Sequence, residues 1–126
     1  MKPQPMISVR DVAKASAWYQ QVLGAASGHG GAEYEQIMVG TEMVLQLHLL
    51  EEGHHHGSIG DPALPVGNGF ALWFETDRFD AAVERIRHAG AEIVTDAHTN
   101  PNAGHQEIWL RDPDGYLVVL ASPYEG

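Results

Sequence analysis

The chain has 126 residues, 44% hydrophobic and 19% charged, which suits one compact domain with a real core and is too short for two independent ones. It contains no cysteine, so disulfides, thiolate metal ligands and cysteine nucleophiles are excluded together. Its formal net charge of −10, from 17 acidic and 7 basic residues, repels phosphate backbones and anionic headgroups and draws in cations.

No stretch approaches the run of about 20 apolar residues that spans a bilayer. The expectation is a cytoplasmic protein whose partner is a small molecule, with neither nucleic acid nor membrane as a partner. Met6 to Val9 is short and rich in strand formers. Asp11 to Leu23 then reads as a helix: Asp11 can cap its free N–H groups, and Gly24 fits the left-handed position that ends it. Val12, Ala15, Tyr19, Val22 and Leu23 fall on one stripe that must be buried. A strand is expected near Ser27. Tyr34 to Val39 and Met43 to Leu50 follow, joined by a hairpin turn at Gly40-Thr41-Glu42.

Residues 53–68 are rich in Gly, His and Pro and read as a linker. Phe70 to Thr76 is the next strand, with Phe70, Leu72 and Phe74 expected to pack on a helix. That helix runs from an Asp77 cap to Gly90, with Phe79, Ala82, Val83 and Ile86 on its buried stripe. Strands are predicted over Ala91 to Thr95, His105 to Arg111 and Tyr116 to Ala121, the last two joined by an Asp112-Pro113-Asp114-Gly115 turn. Asp11 to Asp77 and Gly24 to Gly90 share one offset, 66 residues, so the chain repeats itself. The fold class is therefore α+β, with two βαβββ modules over residues 4–52 and 69–124.

Val9 to Gly24, Phe74-Glu75-Thr76-Asp77 and Arg111 to Leu120 resemble the repeated signatures of the vicinal oxygen chelate superfamily, which includes glyoxalases, bleomycin resistance proteins and extradiol dioxygenases. The resemblance implies two sheets curled into an incomplete barrel around a cavity, in a homodimer. It also implies, for the metal-using members, a divalent ion held by the first and last strands of each module. Those four positions fall here on Gln4, Gln46, Ala71 and Val119. Two amides, a methyl and an isopropyl group cannot form the usual site, so neither metal nor other cofactor is expected.

Strand alternation nominates the cavity residues. Gln46 and His48 share a face, and Tyr34 and Gln36 are expected beside them along an edge of the first sheet. Trp73 alternates away from Leu72 and Phe74, while His105, Glu107 and Trp109 share a face of the seventh strand. These eight are the candidate ligand-binding residues, with Trp73 and Trp109 as an aromatic wall.

Two functions fit. One is a metal-free small-molecule-binding protein resembling bleomycin resistance proteins, capturing a polar, cationic or aromatic ligand such as an antibiotic. The other is a metal-dependent glyoxalase-like lyase, isomerase or dioxygenase with displaced ligands, drawn from His48, His105 and Glu107. His54-His55-His56 reads as solvated loop, since consecutive loop residues rarely converge on one ion.

Overall fold

The computed structural model describes residues 1–50 and 60–124. The chain forms two compact units, Met1–Pro65 and Val66–Gly126. The first contains β1 (Met6–Val9), α1 (Val12–Leu23), β2 (Ala26–Gly30), β3 (Tyr34–Val39) and β4 (Glu42–Leu49). The second contains β5 (Ala71–Glu75), α2 (Phe79–Ala89), β6 (Glu92–Asn100), β7 (His105–Arg111) and β8 (Leu117–Ala121). The two sheets have orders β1-β4-β3-β2 and β5-β8-β7-β6, the same topology twice. In each, the first strand lies parallel to the last and the remaining pairs are antiparallel.

Each helix packs its stripe on one face of its own sheet. In the first unit Val12, Ala15, Tyr19 and Val22 are buried with Ile7, Val9, Ile37, Leu45 and Leu47. In the second, Phe79, Ala82, Val83 and Ile86 are buried with Leu72, Ile108, Leu110, Val118 and Leu120. This packing is where most of the stabilisation resides, at about 25 cal/mol per Å² of apolar surface removed from water. Among the described residues, no helix is long and apolar enough to cross a membrane.

The helices begin differently. Asp11 caps α1, its Oδ1 accepting the Lys14 N–H at 3.0 Å, and Gly24 ends it at φ 66°. The expected Asp77 cap is not used. Arg78 is the N-cap of α2 and makes no side-chain capping bond; its N–H donates to Thr76 Oγ1 at 3.1 Å, so the chain turns one residue later. Asp11→Ala is therefore expected to cost about 1 kcal/mol. Asp77→Ala is expected to stay within about 0.5 kcal/mol. Urea unfolding of the two variants checks the contrast.

Other expectations are corrected in detail. Phe70 lies outside β5 and is 44% exposed, stacked edge-on to Tyr116 with ring centroids 6.4 Å apart, so it does not pack on α2. β6 runs on to Asn100, well past Thr95, because its pairing with β7 continues through irregular register to the hairpin turn. β3 is an inner strand, since β2 pairs outside it, and the edges of the first sheet are β1 and β2. The glycines of β2 have a steric reason: a Cβ on Gly30 would come within 2.5 Å of the Tyr34 carbonyl oxygen.

One buried carboxylate belongs to the helix-facing side. Glu35 accepts from Ser16 Oγ at 3.1 Å, from Ser27 Oγ at 2.7 and 2.8 Å, and from the Gln36 N–H at 3.0 Å. It thereby ties α1, β2 and β3 together, and burial without these partners would be costly.

Candidate ligand-binding site

The face of each sheet turned away from its helix carries the candidate residues. In the first unit, Tyr34 lies opposite His48 and Gln36 opposite Gln46, while Met6 and Ser8 of β1 pair with Gln46 and His48. Paired residues share a face, so all six stand on the same side. Their polar ends form a directed chain. Gln36 Nε2 donates to Tyr34 Oη at 3.2 Å, Tyr34 Oη donates to Gln46 Oε1 at 2.6 Å, and Gln46 Nε2 donates to the Gln4 carbonyl oxygen at 2.9 Å. His48 is buried, and its Nδ1–H donates to the Leu49 carbonyl oxygen at 2.8 Å, which fixes its tautomer.

The second unit is built around Glu107, which is only 2% exposed. Its Oε1 accepts from Trp109 Nε1 at 2.8 Å, and its Oε2 accepts from Asn100 Nδ2 at 2.9 Å and His105 Nε2 at 2.6 Å. His98 Nε2 stands 3.9 Å from Oε1. Burial pushes the Glu107 carboxyl up, but the hydrogen bonds from Trp109, Asn100 and His105 outweigh it and hold the group below the ordinary glutamate range. The carboxylate is therefore ionised at neutral pH, beneath a polar and aromatic surface.

Trp73 and Trp109 both lie opposite Val119 in the register, one on each side of it. Their rings meet edge to face, with centroids 6.2 Å apart and planes at 88°. His105 adds a third ring, 5.8 Å from Trp73, and Tyr124 a fourth, 6.4 Å from His105. Val119 is wholly covered, whereas Trp73 remains 48% exposed. The second unit thus assembles Trp73, His105, Glu107 and Trp109, and the first assembles Tyr34, Gln36, Gln46 and His48. His54-His55-His56 lies outside the described residues.

Sequence reasoning missed His98 and Asn100. Both lie on the extension of β6, opposite Glu107 and His105 respectively. Ending that strand at Thr95 left them in a loop with no face assigned. Asn100 also shapes the hairpin, its Oδ1 accepting the Asn102 N–H at 2.9 Å and its carbonyl oxygen the Gly104 N–H at 2.9 Å.

The strand register also tests the four positions implied for a metal. Met6 pairs with Gln46, so two residues back the register sets Gln4 against Val44, two residues before Gln46. Ala71 pairs with Leu117, two residues before Val119. Gln4 with Gln46 and Ala71 with Val119 are thus equivalent pairs in the repeated topology. The second pair has no donor atom, and both ends of the Gln46 amide are bonded within the chain. A divalent ion does not fit these residues. Among the described residues no three His, Asp or Glu side chains gather so as to hold one, which includes His48, His105 and Glu107.

Comparison with known proteins bears on the fold. No curated protein matches the chain by sequence. The solved structure of a lactoylglutathione lyase from Agrobacterium tumefaciens is 19% identical, with 97% of this chain and 92% of that one covered, at a TM-score of 0.74. TioX from Micromonospora sp. ML1 is 17% identical over 97% of this chain and 98% of its own, with a TM-score of 0.74. The fosfomycin resistance protein FosX from Mesorhizobium loti is 15% identical over 99% and 92%, with a TM-score of 0.68. At these identities the likeness is one of fold. The family model for the glyoxalase/bleomycin resistance protein/dioxygenase superfamily matches residues 3–120. With the doubled βαβββ topology and a match over nearly its whole length, the chain belongs to the glyoxalase/bleomycin resistance protein/dioxygenase superfamily, also called the vicinal oxygen chelate superfamily.

Proposed function

We propose that this chain is a small-molecule-binding protein of the bleomycin-resistance type, acting by stoichiometric capture of a polar ligand with planar, cationic groups. The observation that carries the reading is the replacement of one whole pair of ligand positions by Ala71 and Val119, with Val119 sealed between Trp73 and Trp109. The superfamily's metal chemistry has no donor there, while the same face presents a half-exposed indole next to an ionised carboxylate. Capture needs affinity alone and no transition-state stabilisation. A planar cation stacked on Trp73 gains about 0.5 to 2 kcal/mol from the ring beyond area burial. The net charge of −10 favours its approach. The reading includes a homodimer in the cytoplasm and a role in antibiotic resistance as parts of the same proposal.

The test is calorimetric titration with a panel of planar cationic antibiotics, bleomycin among them, on protein whose metal content has been measured. Saturable binding is expected, weakened about tenfold or more in Trp73→Ala. The exposed position of Trp73 should leave that variant's melting temperature close to the parent's. No binding by any member, or unchanged affinity in Trp73→Ala, would sink the reading. Near-stoichiometric iron, manganese, nickel or zinc would replace it with a metal-dependent lyase, isomerase or dioxygenase.

A further inference from the structure

The hydrogen bonding around Glu107 fixes more than the carboxylate. Its two oxygens receive three N–H donors, from Trp109, Asn100 and His105. An ionised carboxylate offers only lone pairs, so at 2.6 Å the shared hydrogen belongs to His105 Nε2. A neutral imidazole carries one N–H, which leaves the Nδ1 of His105 as a bare acceptor. Among the described residues that atom makes no hydrogen bond. The ring is held at one end by Glu107, and it lies against Trp73 at 5.8 Å and Tyr124 at 6.4 Å. Its carboxylate partner is what orients it, in the way a second group orients a histidine in many binding and catalytic sites.

We infer that His105 Nδ1 is a ligand-accepting atom that works together with the Trp73 face, and that the group it selects is a planar nitrogen cation: an amidinium, a guanidinium or a protonated aminoheterocycle. This inference rests on the small-molecule reading above and deepens it. Such a group is flat enough to stack on the indole, carries charge on its ring-like plane, and donates N–H bonds from its edge. A neutral amide of the same shape meets the acceptor but loses the charge. Other charged groups on this face are Glu75, paired in register with Ala121, Arg111, whose Nη1 donates to the Gly115 carbonyl oxygen at 3.0 Å, Glu92, paired in register with Arg111, and His98 beside Glu107. Three groups on this face are carboxylates, Glu75, Glu92 and Glu107, and Arg111 is engaged with the Asp112–Gly115 turn.

Benzamidine and its neutral counterpart benzamide are the probes, titrated into the whole chain by calorimetry and followed by nitrogen NMR of the histidine rings. The free protein should show His105 protonated on Nε2 and bare on Nδ1. Benzamidine should bind saturably, about tenfold or more tighter than benzamide, and shift the Nδ1 resonance. His105→Gln retains an N–H that can reach Glu107 but removes the ring and shifts the acceptor from the Nδ1 position to an amide oxygen beside the donating nitrogen, so it should fold and lose about tenfold in benzamidine affinity. Equal binding of both probes, unaffected by His105→Gln but weakened by Trp73→Ala, would overturn the inference and leave the binding reading standing. Binding of neither probe overturns the inference, and the antibiotic panel then decides the broader reading. An Nε2 found without its hydrogen overturns the inference at the first step.

Discussion

Glu107→Ala is expected to lower the unfolding free energy by about 3 kcal/mol or more. Truncation removes the acceptor for Trp109 Nε1, Asn100 Nδ2 and His105 Nε2 at once, in a place that is almost closed to water. Each donor left unsatisfied there costs about 1 to 3 kcal/mol, reduced where water enters the gap. Glu107→Gln keeps one amide oxygen for these donors and should lose about half as much. The pH dependence separates the two contributions. The folded-state carboxyl lies below its ordinary range, so its stabilisation is present above the unfolded value and fades as pH falls through the folded one. Acid unfolding of the parent should therefore show a component that Glu107→Gln lacks. Equal acid limbs in the two proteins would mean that Glu107 is not held ionised.

Val119→Glu restores a carboxylate where metal-using relatives are expected to have one, and it should also be costly, by several kcal/mol. Val119 has no exposed surface and lies opposite both Trp73 and Trp109 in the register. A carboxylate forced under two indoles is disfavoured in its charged form, so its folded pKa would rise above the unfolded one. The cost should then be smallest in acid and grow as pH rises past the ordinary carboxylate range. Adding manganese, nickel, zinc or iron(II) should not restore the melting temperature, because Ala71 supplies no second donor. Rescue by any of these ions would show that a working ligand set survives, and would favour the enzyme reading.

Much of this was legible in the residues. The capped helix recurring at Asp11 and Asp77, together with strand alternation, was enough for the doubled module, and alternation put Trp73, His105, Glu107 and Trp109 on one face. The cap itself misled in the second unit, since Thr76 takes the N–H of Arg78 and the helix starts later. Phe70 looked like core because it is aromatic and in phase with Leu72, yet it lies before β5 and stays exposed. Asn100 and His98 escaped notice because β6 is exposed along most of its length, so no apolar alternation marks it as a strand. Its partner register, set by β7, is a long-range property that local pattern does not carry.

The parallel pairing within each unit has a kinetic consequence. Met6 must find Gln46 and Ala71 must find Leu117, so the longest loop that either sheet closes is only about 40 to 46 residues. Among the described residues, no strand of one sheet comes from the other half of the chain. Folding of each sheet therefore needs no search across the full length, and the first is complete in sequence once Leu49 has been synthesised. Contact order stays low for a protein this rich in strands, and folding should be faster than in a sandwich whose sheets exchange strands across the whole chain.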